Sequence, residues 1–333
     1  MNCPICDCID TKVLYTVTVE ESARCFILNK RHPDFQLLKN NLYKLWNSDK
    51  CQVLRCLNCD FSFSYPYIAG DNIFYNIVYK NSAYPTWKFE FEETLNTINS
   101  INSILKYRDI SDSTLLEIGA GDGAFLKKIA GIIPTNRIVA TEYSDYGKKE
   151  ISKLGIEVHS CDFRKMAEEW NNKFSYVCLF QVLEHLDGLD SVFETLYRIT
   201  RDKGQVFIAV PNDKRINFNE ANGALLDMPP HHIGRYTKKS FELLAKRFGW
   251  AIKNYKIEVP NFKKYLAQFS LYTHLKEAQK DNSLDSLIIS NKITRKLFKK
   301  IRVQYLENKN LNLIKENYQK VGGDSQWVHL EKI

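Results

Sequence analysis

The sequence predicts an α/β fold in which a mostly parallel sheet follows a small amino-terminal zinc-binding domain and carries a basic helical segment near its end. Three observations predict it. From about residue 88 short apolar runs alternate with amphipathic stretches, the signature of a sheet covered on both faces. Two C-x2-C pairs, "CPIC" at 3–6 and "CLNC" at 56–59, lie ahead of that pattern. Residues 261–320 carry 13 basic and 5 acidic groups, which accounts for the whole net charge of +8, because the segments on either side are close to neutral. A chain of 333 residues is long enough for about two domains and a sizeable core, and the expected division is 1–87, then 88–333 with the insertion at 261–320.

Seven of the nine cysteines fall in the first 59 residues. The opening residues hold no apolar stretch fit for a signal peptide, and no later run approaches the roughly 18 apolar residues of a membrane span. A cytoplasmic setting with reduced thiols is the expectation, and there clustered cysteines favour metal over disulfides. Paired thiolates at C-x2-C spacing each supply two ligands of a tetrahedral zinc site. Cys3, Cys6, Cys56 and Cys59 are the expected ligands, with Cys8 and Cys51 as substitutes, and four thiolates leave no open position for catalysis.

The first strand of the central domain is "STLLEIG" (113–119), and it runs into "AGDGAFL", where Gly119, Gly121 and Gly123 let the backbone turn tightly and bring N–H groups close to a ligand. The spacing is G-x-G-x-G, not the G-x-G-x-x-G of dinucleotide binders. "RIVATEY" (137–143) follows, ending on Glu142, whose carboxylate can accept hydrogen bonds from both hydroxyls of a ribose. "IEVHSCDF" (156–163) ends on Asp162, within reach of an adenine amino group, and "FSYVCLFQ" (174–181) and "GQVFIAVPN" (204–212) continue the series. Ligands of such sheets bind at the carboxyl ends of the strands.

Over about residues 112–259 these segments, "EIGAGDG", "VATEY", "CDF" and "FSYVCLFQVLEHL…RITRDKGQVFIAVPN", resemble the class I S-adenosylmethionine-dependent methyltransferases in their order, which implies a Rossmann-like sheet and that cofactor. The resemblance places Glu117, Gly119 and Gly121 at the methionine end, Glu142 at the ribose, Asp162 and Phe163 at the adenine, and Gln181 with Val182 on the outer face. Ala120, Gly123 and Tyr143 complete the implied set. It also gives "WAIKNYKIEV" (250–259) and "DSQWVHLEKI" (324–333) as the closing antiparallel hairpin, so that 261–320 becomes an insertion. Within it, "NKITRKLFKKIRVQYL" (291–306) sets Ile293, Leu297, Ile301 and Tyr305 four apart on one helical stripe, ringed by Lys292, Arg295, Lys296, Lys299, Lys300 and Arg302. Such a helix can be a solvated face, a lid for an anionic substrate, or a contact for a membrane surface or an RNA backbone.

"PPHHIGRYT" (229–237) follows the fifth run, on the side where the transferred methyl group is expected. Two prolines stiffen the approach to His231 and His232. A neutral imidazole is a suitable base for an alcohol at neutral pH, so His232 first and His231 second are the candidate bases, with Tyr236 and Arg235 as candidates to hold acceptor hydroxyls or phosphate. The other reading is a structural loop whose imidazoles cap the helix starting near Thr237. The whole chain is similar to bacterial methyltransferases of sugar and surface-glycan biosynthesis that carry zinc knuckles. Their C-methylating members have a further large carboxyl-terminal domain that this sequence lacks, which favours O-methylation of a sugar hydroxyl, on a nucleotide-sugar or a lipid-linked glycan. "QVLEH" (181–185) resembles the metal-holding E-x-x-E-H run of small-RNA 3′-end and some quinone-pathway O-methyltransferases, with Gln181 replacing the first carboxylate. RNA or quinone-like O-methylation is therefore the main alternative, ahead of sugar C-methylation and of a cofactor-binding protein without turnover.

Overall fold

The computed structural model describes residues 2–81, 90–106, 110, 112–223 and 227–333, and the side chains of these except 79, 90–94 and 292. The expected boundary at 87/88 and the side chain of Lys292 lie outside the described set. In chain order the elements are β1 (Thr11–Thr18), α1 (Val19–Phe26), α2 (Pro33–Trp46), β2 (Lys50–Cys56), β3 (Ser62–Tyr65), α3 (Asn72–Asn81) and α4 (Glu90–Ile104). Then come β4 (Leu115–Ile118), α5 (Ala124–Ile129), β5 (Ile138–Thr141), α6 (Asp145–Ser152), β6 (Glu157–His159), β7 (Phe174–Phe180), α7 (Leu189–Ile199), β8 (Thr200–Pro211) and α8 (Asp213–Ala221). The chain ends with β9 (Gly234–Arg235), α9 (Lys238–Arg247), β10 (Trp250–Ile257), α10 (Phe262–Ala278), α11 (Leu284–Ser290), α12 (Lys292–Val321) and β11 (Ser325–Lys332).

The main sheet has the order β10-β11-β8-β7-β4-β5-β6. β8, β7, β4, β5 and β6 are parallel, while β11 runs antiparallel to both β8 and β10, so the two carboxyl-terminal strands form the expected hairpin. Side chains of a strand alternate between faces, and β7 uses this to serve two cores. Val177 and Leu179 join one cluster with Leu116, Val206 and Ile208, while Tyr176 and Cys178 join another with Leu115, Phe207 and Ala209. Both faces are therefore covered, which is why these strands read as unbroken apolar runs.

The amino-terminal part is not the separate domain expected for 1–87. Its sheet has the order β1-β2-β3-β9, and its fourth strand comes from residues 234–235. Cys3, Ile5, Leu54, Phe61 and Phe63 share one continuous core with Leu183, Tyr236 and Phe241. Tyr15 of β1 joins the amino-terminal part to a buried ion pair of the rest: the Arg235 guanidinium, 2% exposed, donates to Glu220 at 2.6 Å and to the Tyr15 hydroxyl at 2.6 Å, and that hydroxyl donates to Glu220 at 2.9 Å. Removing one partner of such a pair leaves an uncompensated buried charge, at a cost of about 3–5 kcal/mol. Glu220→Leu is accordingly expected to lower unfolding free energy by roughly that amount in a urea titration. Unchanged stability would show that Arg235 is satisfied without it.

The insertion folds as α10, α11 and α12 around Tyr265, Phe269, Ile314 and Val321. Arg215 of α8 docks it to the sheet: the guanidinium lies 3.3 Å from the Tyr265 ring centroid and donates to Gln268 at 3.0 Å. The Ile293, Leu297, Ile301, Tyr305 stripe does not pack inward; Ile293 is 89% exposed and the other three are also exposed. Arg302, expected among the free cations, donates instead to the buried Asp285 at 2.9 Å. Among the described residues no helix is long and apolar enough to cross a membrane.

Candidate functional site

The glycine turn after β4 has the strained backbone the sequence suggests. Gly119, Gly121 and Gly123 all have positive φ, at +69°, +56° and +75°, a region that a side chain makes costly. Gly119 has a second reason to be glycine, because a Cβ there would sit 2.6 Å from the Val182 Cγ2. The Glu142 carboxylate closes the turn from β5, accepting from Gly121 N–H at 2.9 Å and Ser144 N–H at 2.7 Å. Each carboxylate oxygen keeps acceptor capacity for a ribose hydroxyl. Glu117 is buried, its Oε2 has no hydrogen-bond partner among the described residues, and burial raises its pKa well above the usual carboxylate range. Ala120 is nearly buried, and Tyr143, at 62% exposure, stands out from the surface beside this cradle. Gln181 caps β7 at φ +57°, with its amide donating to Ser325 at 3.2 Å.

The two expected adenine contacts follow β6. Asp162 accepts from the Arg164 Nε at 2.9 Å and from the Arg164 backbone at 3.0 Å. Phe163 is 2% exposed and packs into the core. A Gly119→Ala exchange should combine positive-φ strain of about 1–2 kcal/mol with the Val182 clash. S-adenosylhomocysteine affinity, measured calorimetrically, is expected to fall about tenfold or more; native affinity would refute the cradle assignment.

The loop 227–233 is held from several sides. Ser22 of α1 donates to the Pro229 carbonyl at 2.7 Å, Gly70 N–H to Pro230 at 3.2 Å, and Ser64 N–H of β3 to Ile233 at 2.9 Å. Ile233 N–H in turn donates to the Glu184 carbonyl at 2.9 Å. The amino-terminal part thereby sets the position of His231 and His232 against the turn after β7. His185 joins them, its Nδ1 donating to the His231 carbonyl at 2.6 Å. The three rings have centroids 4.5–4.8 Å apart, and one ligand nitrogen of each lies within 4.8 Å of the others. Phe26 and Tyr75 wall the His231 ring at 6.1 and 6.0 Å. Val182, which a Cβ on Gly119 would meet, opens the turn that ends on His185.

His232 is oriented by Asp227, which accepts from its Nδ1 at 2.6 Å. The ring's Nε2 is then the nitrogen with a free lone pair. Burial works against the charged imidazolium, but the hydrogen bond and charge of Asp227 outweigh it and raise the His232 pKa above its ordinary 6.5. Burial, then the neighbouring His232, lowers His185 to about 3, and burial holds His231 well below its ordinary value. Both are neutral at physiological pH. Glu184 is buried with neither carboxylate oxygen hydrogen-bonded among the described residues, and burial lifts its pKa to about 7.

Sequence reasoning selected His231 and His232 but not Asp227, and it took Tyr236 and Arg235 for acceptor contacts. Tyr236 is fully buried, with its ring between Phe61 and Phe241 and its hydroxyl donating to the Leu183 carbonyl at 3.3 Å. Arg235 is committed to Glu220. The helix α9 is capped by Thr237 and Ser240, not by an imidazole.

The four expected thiols converge. Cys3 Sγ lies 3.5 Å from Cys59 Sγ, and Cys6 Sγ lies 3.5 Å from Cys56 Sγ. A tetrahedron with Zn–S bonds of 2.3 Å has edges of about 3.8 Å, so the donor set and spacing fit that ion. Cys51 is buried and Cys8 half-buried, and neither belongs to the group.

Residues 93–254 match the family model described as a methyltransferase domain. The match spans just under half of the chain. No curated protein matches the sequence. Among solved structures, an S-adenosylmethionine-dependent methyltransferase from Archaeoglobus fulgidus is 17% identical, with 72% of this chain and 94% of that one covered at a TM-score of 0.42. Phosphoethanolamine N-methyltransferase 2 from Haemonchus contortus is 16% identical, with 73% of this chain and 56% of that one covered at 0.44. The [4+2]-cyclase SpnF is 14% identical over 70% of this chain and 81% of its own, at 0.43. Both the glycine cradle and the histidine loop lie within the matched methyltransferase domain.

Proposed function

We propose that the chain is an S-adenosylmethionine-dependent methyltransferase that methylates a hydroxyl group of a small anionic acceptor, a sugar of nucleotide-sugar or surface-glycan biosynthesis, and that Cys3, Cys6, Cys56 and Cys59 hold a structural zinc ion. The observation that supports the acceptor chemistry is the His232–Asp227 pair on a loop held against the turn after β7. When bound, the cofactor supplies a methyl group made electrophilic by its sulfonium. Glu142 and the backbone of 119–121 fix the cofactor, and the 182–185 turn sets the acceptor hydroxyl in line with the methyl carbon, where positioning supplies much of the acceleration. His232 Nε2 takes the hydroxyl proton as the oxygen forms its bond to carbon. Asp227 holds the tautomer and carries the compensating charge.

A second reading of the same cluster is favoured by the three converging nitrogens and the buried Glu184 carboxylate, 3.9 Å from His185 Nε2 and without a hydrogen bond among the described residues: a divalent ion held by His185, His231 and His232 that lowers the pKa of the acceptor hydroxyl. Metal analysis separates the two, since the base reading expects one zinc per chain and the metal reading a second ion lost on His185→Gln. The test of the function is incubation with isotopically labelled S-adenosylmethionine and a panel of nucleotide-sugars, glycans and RNA, read by mass spectrometry. Labelled sugar supports the proposal; labelled RNA alone, or none, overturns it.

A further inference from the structure

A half-open cleft of about 580 Å³ lies between the amino-terminal part and the insertion. Arg24, Lys30, Arg31 and His32 line it from the end of α1 and the connection to α2, and Arg295 and Lys299 line it from α12. Against five permanent cations the lining has one carboxylate, Asp281, which accepts from Arg24 at 3.1 Å and Lys30 at 3.2 Å, and Glu20, outside the lining, pairs with Lys30 at 2.7 Å. Arg31 and Lys299 appear in no ion pair among the described residues, and Arg295 donates from Nε to the Ile289 carbonyl at 2.9 Å, which fixes its guanidinium. Burial and the adjacent Arg295 both lower the Lys299 pKa, the cost of gathering like charges in a partly desolvated place. A multivalent anion would reverse that cost, and guanidinium groups suit phosphate oxygens in particular.

The cleft is also one wall away from the imidazoles. Phe26, whose ring flanks His231, is followed directly by Ile27, which lines the cleft. On α3, Tyr75 touches His231 and Asn81 lines the cleft, six residues or about 9 Å farther along the helix. An acceptor with its hydroxyl at the histidines would thus have cations at hand for a charged group at its other end.

We propose that this cleft binds a diphosphate group, the charged end of the methyl acceptor, between Arg24, Lys30 and Arg31 on one side and Arg295 and Lys299 on the other. Only the link to the acceptor rests on the methyltransferase reading; the anion site does not. The test is calorimetric titration of the full chain with inorganic pyrophosphate, in the presence of saturating S-adenosylhomocysteine so that the cofactor cradle is filled. Pyrophosphate should bind, more weakly as salt is raised, and the affinity should fall roughly tenfold or more in an Arg31→Gln/Arg295→Gln/Lys299→Gln variant. A Lys12→Gln/Lys44→Gln/Lys309→Gln variant, with the same loss of charge at exposed positions elsewhere, should keep it. Absence of pyrophosphate binding, or equal weakening in the two variants, overturns the site. All six positions are outside the core, so folding is not at stake, and a chain that fails to bind S-adenosylhomocysteine would count against the methyltransferase reading alone. Uridine diphosphate-sugars in solution and vesicles doped with a polyprenyl diphosphate distinguish the carriers. With a methylated acceptor in hand, the cleft variant should raise KM with kcat nearly unchanged; an unchanged KM would refute the link to the acceptor.

Discussion

His232→Ala is expected to lower kcat by about 10²–10⁴-fold, the usual contribution of a positioned general base, while S-adenosylhomocysteine binds as before. The reasoning starts from tautomers. Asp227 accepts from Nδ1, so the proton resides there and Nε2 presents a lone pair. His231 cannot substitute, because its ring is packed against Phe26, Phe74 and Tyr75 and its Nδ1 meets no hydrogen-bond partner among the described residues. The pH dependence has a definite sign. A base must be unprotonated, and Asp227 raises the His232 pKa above 6.5 against the pull of burial. kcat/KM should therefore rise with pH through a midpoint above 6.5. Asp227→Asn removes the group that raises it, so the midpoint should move down even as kcat falls. Glu184, lifted to about 7 by burial, titrates in the same window, so the apparent values belong to the cluster, and the profile of Glu184→Gln isolates the imidazole. A His232→Ala enzyme with near-native kcat would exclude the base.

How much of this was legible in the sequence follows from the range of each interaction. Four of the five parallel strands, β4, β5, β7 and β8, could be read because strands covered on both faces carry apolar runs, whereas β6, at the sheet edge with Glu157 exposed, was legible only by its place in the series. The glycine turn was legible for a related reason, since positive φ at Gly119 and Gly121 constrains residue type locally. The pairing of β9 with β3 left no such trace. It spans two residues, Gly234 and Arg235, joined to Ser62 and Phe63 about 170 positions earlier, and no periodicity records a partner so distant. Missing it made the amino-terminal part look independent, and it made Arg235 and Tyr236 look available to an acceptor when both are buried by that pairing. The reverse error affects α12. Ile293, Leu297, Ile301 and Tyr305 have the spacing of a packing face, yet the helix contributes Leu306, Ile314 and Val321 to the interior instead. Asp227 escaped because its partner lies five residues on, across the bend at Pro229 and Pro230, where sequence spacing says little about distance.

Loss of the proposed zinc ion is expected to do most damage away from the four cysteines. Structural zinc sites supply folding free energy outright, about 10–16 kcal/mol in small zinc peptides, and here the four thiols belong to the core that β3 shares with Phe61 and Tyr236. Chelation, or Cys56→Ser together with Cys59→Ser, should release β2 and β3 first. β3 carries Ser64, which holds Ile233, and pairs with β9, while Ser22 and Gly70 hold Pro229 and Pro230. The histidine loop should then lose its supports on one side, while the cradle of Gly119, Gly121 and Glu142 keeps its bonds to the ends of β4 and β5 and the start of α6. Hydrogen exchange should show amides 228–236 deprotected, with β4 and β5 still protected. S-adenosylhomocysteine should still bind and methyl transfer should cease. If the chelated protein keeps both the protection of 228–236 and its activity, the four cysteines are packed thiols and the amino-terminal part positions the loop without an ion. If the cofactor is lost together with the loop, the two parts unfold as one unit and the cradle is not independent of the pairing of β9 with β3.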